Sequence, residues 1–364
     1  MKLSATQIQA IVDATKTPTP EQVRVVEAPR RPLLVVAGAG SGKTETMSMR
    51  VLWLLANYPD LTPASILGLT FTRKAAGELG DRLRERIRLL SREMPQMRER
   101  LDEDPVALTY NSFAERIVSE HGMRIGIDPD FAMLSEAGAL DLMTQIVEAW
   151  PTDLDETLSP TGVVGKILHL AGEIGEHGYT VETAREALEE FGRELEQVGR
   201  GNDVARNVID ANRRRLAFLG PIEAYQQRKR DMGVLDFSDQ LVLATRIVRE
   251  APSVRAALRD EFRAVLLDEF QDTSVIQMEL LSTLFGDHAV TAVGDPNQAI
   301  YGWRGASASS LETFLERFQT GVAEEDQTLT LSTAWRNDVS ILDAANRVAA
   351  PLREVASYQQ GKDA

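Results

Sequence analysis

Residues 37–44 read AGAGSGKT, and residues 266–272 read LLDEFQD. A glycine-rich turn that ends in Lys-Thr, set between a strand and a helix, lets backbone N–H groups converge on phosphate oxygens while the helix dipole adds positive potential. Gly38, Gly40 and Gly42 give this turn its freedom, and Ala37, Ala39 and Ser41 complete it. Lys43 supplies charge for the outer phosphates of a nucleotide and Thr44 a hydroxyl for Mg2+. The common spacing of such loops asks for glycine at position 37, where this chain has alanine. A phosphate grip alone leaves the reaction open. The acid pair narrows it: Asp268 can hold the metal and Glu269 can take a proton from water, which together describe nucleoside triphosphate hydrolysis. Adjacent acids are more often a solvated strand end. Here they follow an apolar run in a chain that already has the loop. Transfer of phosphate to a metabolite would need an acceptor site, and no motif singles one out.

These residues need strand ends to carry them. LLVVAG (33–38), SILGLTF (65–71), ALTY (107–110), AVLLDEF (264–270), AVTAVGD (289–295) and TLTLSTAW (328–335) read as strands. Helical patterns alternate with them, as at 43–56 and in KAAGELGDRLRERIRLL from Lys74 to Leu90. The alternation predicts an α/β fold with a doubly wound parallel sheet, whose ligands lie beyond the carboxyl ends of the strands. Between about 116 and 232 the strand patterns vanish and helical periodicity takes over, with breaks at DPD (128–130), LSP (158–160) and Gly220-Pro221. That stretch reads as a helical domain inserted into the sheet domain.

The chain has 364 residues, 43% of them hydrophobic, enough for a sizeable core and more than one domain. It has no cysteine, which excludes disulfides, thiolate zinc sites and cysteine-ligated iron–sulfur clusters. Its apolar runs are too short to span a bilayer and its start lacks a signal-peptide core, so a cytoplasmic protein with no membrane partner is expected. The net charge of -15 is the wrong sign for a protein that binds a polyanion over its whole surface, so any nucleic acid must bind locally. Arginines at 82, 84, 86 and 88, the run Arg213-Arg214-Arg215 and the run Arg228-Lys229-Arg230 read first as solvated helix faces.

In order along the chain stand AGAGSGKT, GLTFTRKAAGELGDRL, ALTYNSF, LLDEFQDTS, AVGDPNQAIYGWRGA and LSTAWRND. Together, from about residue 17 to 350, they resemble the successive motifs of the UvrD/Rep/PcrA group of superfamily 1 DNA helicases. That group's phosphate loop commonly begins with alanine, as at Ala37. The resemblance implies a RecA-like P-loop NTPase sheet with an inserted all-helical subdomain. Residues 1–115 and 233–335 would form the first motor domain, 116–232 the insertion, and 336–364 the start of a second RecA-like domain. It implies ATP and Mg2+ as ligands, with Gln22 reading the adenine edge and Gln298 sensing the γ-phosphate and linking it to DNA. Arg336 would reach the γ-phosphate where the transition state gains negative charge.

The resemblance also implies single-stranded DNA as partner, with bases stacking on Phe71 and Trp303. Thr72, Arg73, Asn111, Tyr301 and Arg304 are assigned beside them, and 3'-to-5' movement in DNA repair or recombination follows from the family. Three positions depart from its pattern. Glu45 replaces an arginine that stacks on adenine, Asn111 a histidine, and Trp335 a tyrosine packed near the base. GDPNQ and TFTRKAA resemble the AddA, RecB and Adn branch, which implies a helicase–nuclease partner subunit. With only the start of a second motor domain expected, the chain reads as the N-terminal half of a motor that hydrolyses slowly and does not unwind alone. Two alternatives stay open: a non-motor DNA-binding or partner-docking module that keeps ATP as a ligand, and a small-molecule kinase, which leaves the Trp303 motif unexplained.

Overall fold

The computed structural model describes residues 2–155, 159–198, 203–302, 310–318 and 328–351. Eight strands occur among them: β1 (Leu33–Ala37), β2 (Ile66–Thr70), β3 (Val106–Thr109), β4 (Ala132–Met133), β5 (Val234–Leu235), β6 (Ala264–Leu267), β7 (Val290–Gly294) and β8 (Thr328–Leu331). Six form one sheet in the order β3-β2-β6-β7-β1-β8, and every neighbouring pair is parallel.

The strands are apolar throughout because both faces of the sheet are covered. Along β1, Leu33, Val35 and Ala37 bury on one side while Leu34 buries on the other. The first side packs the helices Ala5–Val12, Pro20–Val26, Lys43–Asn57 and Arg73–Glu93. The second packs Tyr110–His121, Phe237–Glu250, Pro252–Glu261 and Val275–Phe285. Arg73–Glu93 sits close to the sheet at Gly68, where a Cβ would lie 2.8 Å from Leu79 Cδ2. The result is a three-layer α/β/α domain, as the alternation of patterns requires.

Tyr110–His121 runs across position 116, and its Ile117 and Val118 bury in the sheet-side core. The four helices Glu136–Glu148, Pro160–Glu176, Val181–Val198 and Asp203–Met232 build a separate core around Met143, Val164, Ile167, Leu219 and Ile222. The parallel pair β4–β5 ties together the two ends of this stretch, so it is not wholly without strand. Gly220-Pro221, expected as a break, lies inside the 30-residue helix Asp203–Met232. Proline there forfeits one backbone bond, and burial of Phe218, Leu219, Ile222 and Tyr225 around it offsets that loss. Ser159 and Pro160 do begin a helix, with the serine as its cap.

Candidate nucleotide site and its neighbouring rim

A wholly parallel sheet puts the carboxyl ends of all six strands on one rim, so segments far apart in sequence must meet there. The loop after β1 turns through Gly40 (φ 75°) and Gly42 (φ 83°), left-handed conformations that suit glycine. Gly42 caps Lys43–Asn57 with no side-chain bond to the first N–H groups of the helix, leaving them for a ligand. The chain after β8 lies against the loop. Trp335 N–H donates to Gly40 O at 2.8 Å, and a Cβ on Gly40 would lie 2.9 Å from Arg336 Cβ. A Cβ on Gly42 would lie 3.2 Å from Gln22 Nε2, which places that amide beside the loop. Gln22 Oε1 accepts from Thr19 N–H at 2.9 Å, fixing its orientation at the start of Pro20–Val26. Ser41 is buried, and its Oγ has no hydrogen-bond partner among the described residues, which suits a ligand oxygen.

Across the rim, after β6, stand the two acids. Lys43 Nζ donates to Glu269 Oε2 at 3.3 Å, joining the phosphate loop to the acid turn. Asp268 is pushed up to about 6, first by burial and then by the neighbouring Glu269, with Lys43 opposing. Its Oδ1 accepts from Glu269 N–H at 3.1 Å, and its carbonyl accepts from Tyr110 OH at 3.2 Å. A carboxylate short of positive charge is a fitting ligand for a hard divalent cation, with the Thr44 hydroxyl as second oxygen donor. Among the described residues no group of three or more acidic or imidazole side chains could hold a metal. Glu269 has φ 49°, the single non-glycine with positive φ among the described residues. Such a backbone costs roughly 1–3 kcal/mol and is found at functional sites.

Gln298 stands in the short turn after β7, where its Nε2 donates to Asp295 Oδ2 at 2.6 Å. Asp295 N–H in turn donates to Gln271 Oε1 at 3.1 Å. Gln271 and Asp295 were not singled out from the sequence. Their signal was a run of polar residues directly after a buried strand, which also describes an ordinary solvated turn.

Phe71 and Tyr301 meet on the same rim, their rings stacked with centroids 4.6 Å apart and planes at 24°. They cover one face of each other, so a base would stack on an outer face or displace one ring. Thr72 caps Arg73–Glu93, its Oγ1 accepting from Ala75 N–H at 3.1 Å. Asn111 Oδ1 accepts from Gln277 Nε2 at 3.3 Å. Phe71, exposed Arg73 and Asn111 line a groove of about 690 Å³, whose far wall is formed by the insertion through Glu136, His169 and Glu173. Trp303 and Arg304 lie outside the described residues.

Glu45, the departure in the loop helix, is paired with Arg86. Arg84 pairs with Asp81, Arg214 with Asp155, and Lys229 with both Asp236 and Asp239. These members of the basic runs are engaged within the chain. No described helix is long and apolar enough to cross a membrane.

A family model described as UvrD/REP helicase N-terminal domain matches residues 18–319. DNA helicase II of Escherichia coli (strain K12) is 30% identical over 327 residues, which cover 90% of this chain and 39% of that protein. ATP-dependent DNA helicase PcrA of Leuconostoc citreum is 28% identical over 329 residues, covering 90% of this chain and 38% of its own. The chain thus spans about two fifths of the length of these curated relatives.

Proposed function

We propose, starting from the fact that this chain belongs to the UvrD/REP helicase N-terminal domain family, that it is the nucleotide-binding portion of an ATP-driven DNA helicase and translocase. The observation that carries this reading is the 3.3 Å contact between Lys43 of the phosphate loop and Glu269 of the acid turn. It lies on the rim that also holds the Phe71–Tyr301 stack.

ATP is the substrate. Gln22 addresses the adenine edge, and the loop from Ala37 to Thr44 holds the phosphates, with Lys43 on the outer ones. Thr44 and Asp268 hold Mg2+, which when bound neutralises phosphate charge. Glu269 exchanges its contact with Lys43 for the attacking water and takes its proton. Oxygen–phosphorus bond formation then expels ADP. Gln298 orients the γ-phosphate, and exposed Arg336, beside Gly40, meets the negative charge that grows on it.

Single-stranded DNA binds along the neighbouring rim by stacking on Phe71, Tyr301 and Trp303, with Thr72, Arg73, Asn111 and Arg304 at its backbone and edges. Movement is 3' to 5', in DNA repair or recombination. The helices within 116–232 act as an insertion between two parts of one motor domain. A second RecA-like domain is the partner at the segment from 336 onward, a reading supported by the exposure of Trp335 (63%), Val339 (73%) and Ile341 (55%). A helicase–nuclease subunit is a further partner in this reading.

The test is steady-state ATP hydrolysis with and without oligo-dT, beside E269Q. Turnover stimulated by DNA and lost in E269Q, with binding of an ATP analogue intact, is the expected result. Unchanged turnover in E269Q would remove Glu269 from the chemistry. Analogue binding with no turnover in either protein would favour a module that keeps ATP as a ligand only.

A further inference from the structure

Gln271 performs no chemistry in the reading above, yet its amide joins separate segments of the rim. It is buried, with 3% of its surface exposed. Its Nε2 donates to Glu269 Oε2 at 2.9 Å and to Asp272 Oδ2 at 3.1 Å, while its Oε1 accepts from Asp295 N–H at 3.1 Å. The fit is close, because a Cβ on Gly294 would lie 2.8 Å from Gln271 Oε1 and 3.1 Å from its backbone nitrogen.

Beyond Gln271 the contacts continue in two directions. Asp295 holds Gln298 Nε2 at 2.6 Å and Asn297 N–H at 3.0 Å. Asp272 interacts with the Ile300 backbone N–H, one residue before the Tyr301 ring that stacks on Phe71. A planar amide has its two N–H bonds and its carbonyl in set directions, so one partner cannot shift far without the amide losing or dragging another.

We propose that Gln271 is a positioning residue that couples the nucleotide site to the grip on single-stranded DNA. When Glu269 leaves Lys43 for the water at the γ-phosphate, its carboxylate carries the Gln271 amide with it. The amide then moves both ends of the segment from Asp295 to Tyr301. The inference rests on the functional reading above, and adds to it the link by which the acid turn is felt at the aromatic stack.

The test uses Q271M, which keeps the length and removes the amide, and G294A, which keeps Gln271 and crowds its Oε1. Oligo-dT affinity is measured with and without a non-hydrolysable ATP analogue and Mg2+, and analogue affinity is measured alone. Site–site couplings are typically about 5–150-fold, so a change of about tenfold in oligo-dT affinity on analogue binding is expected for the wild type. In both variants that ratio should fall to within about twofold of one, while each separate affinity stays within about threefold of wild type. By reciprocity the same ratio must appear in analogue affinity with and without oligo-dT.

A wild-type ratio retained in Q271M would overturn the proposal. So would joint collapse of both separate affinities, the sign of a merely structural role. A wild type that binds both ligands with no coupling would refute the relay and leave the functional reading standing. Binding of neither ligand by the wild type would remove that reading and the relay with it.

Discussion

Replacing Arg50 with methionine should destabilise the back of the phosphate loop by several kcal/mol. Arg50 lies about two turns along Lys43–Asn57, is 1% exposed and has no acidic hydrogen-bond partner among the described residues. Its Nε donates to Thr291 Oγ1 at 2.8 Å. Its Nη1 donates to the carbonyls of Val25 and Ala28, each at 2.9 Å, and of Val26 at 3.3 Å, and its Nη2 to that of Pro29 at 3.1 Å. The guanidinium therefore holds the carboxyl end of Pro20–Val26, whose first turn carries Gln22, against β7. Burial lowers its pKa to about 10, which leaves it charged at neutral pH.

Two effects compete in R50M. Removing the charge recovers its burial cost, roughly 3 kcal/mol at about 1.36 kcal/mol per pKa unit. The carbonyls of Val25 and Pro29 keep the N–H groups of Ala28 and Arg31 as donors, but the Val26 and Ala28 carbonyls and Thr291 Oγ1 lose theirs at roughly 1–3 kcal/mol each, a sum of about 6 kcal/mol. The acceptors win by about 3 kcal/mol, at the lower end of the roughly 3–5 kcal/mol seen when one side of a buried charged network is removed. R50K, charged but with three donors on a point-like head, should fall between wild type and R50M. Calorimetry should show a lowered transition in R50M, and titration with an ATP analogue should show weaker binding as Gln22 loses its support. A melting profile no different from that of the exposed-site control R92M would refute the reasoning.

The remaining predictions concern the DNA-side rim and the opposite end of the domain. F71A should weaken oligo-dT binding by roughly 1–3 kcal/mol, the worth of one stacked base, and leave analogue affinity unchanged. Equal loss for both ligands would place Phe71 in the architecture instead. His288 Nε2–H donates to the Phe262 carbonyl at 2.7 Å, and burial holds its pKa below 6.5. The folded chain then binds fewer protons than the unfolded chain in the window between that lowered pKa and 6.5. Its contribution to stability is complete above that window and declines as pH falls through it. The difference in stability between wild type and H288Q should show this pH dependence, and a flat difference would contradict it.

Six strands and the ends from which the motifs project were legible in the sequence, because a strand buried on both faces must be apolar and a parallel sheet must alternate with helices. Gly220-Pro221 misled because local propensity registers the lost backbone bond and not the packing of Phe218, Leu219 and Ile222 that outweighs it. Tyr110–His121 extends past 116 because amphipathic periodicity says that Ile117 and Val118 are buried, not in which of two cores.

Local chemistry by itself determined that a phosphate loop and an acid pair stand at strand ends, since glycine, lysine and carboxylates act through short-range geometry that a few neighbouring residues set. Which distant segments meet was decided by the sheet order, which brings Lys43 to Glu269, Arg336 to Gly40 and Phe71 to Tyr301. The roles of Arg50 and Gln271 belong wholly to that second level. An arginine in a helix and a glutamine in a turn are ordinary on the surface, and their importance comes only from burial among acceptors and donors supplied by other parts of the chain.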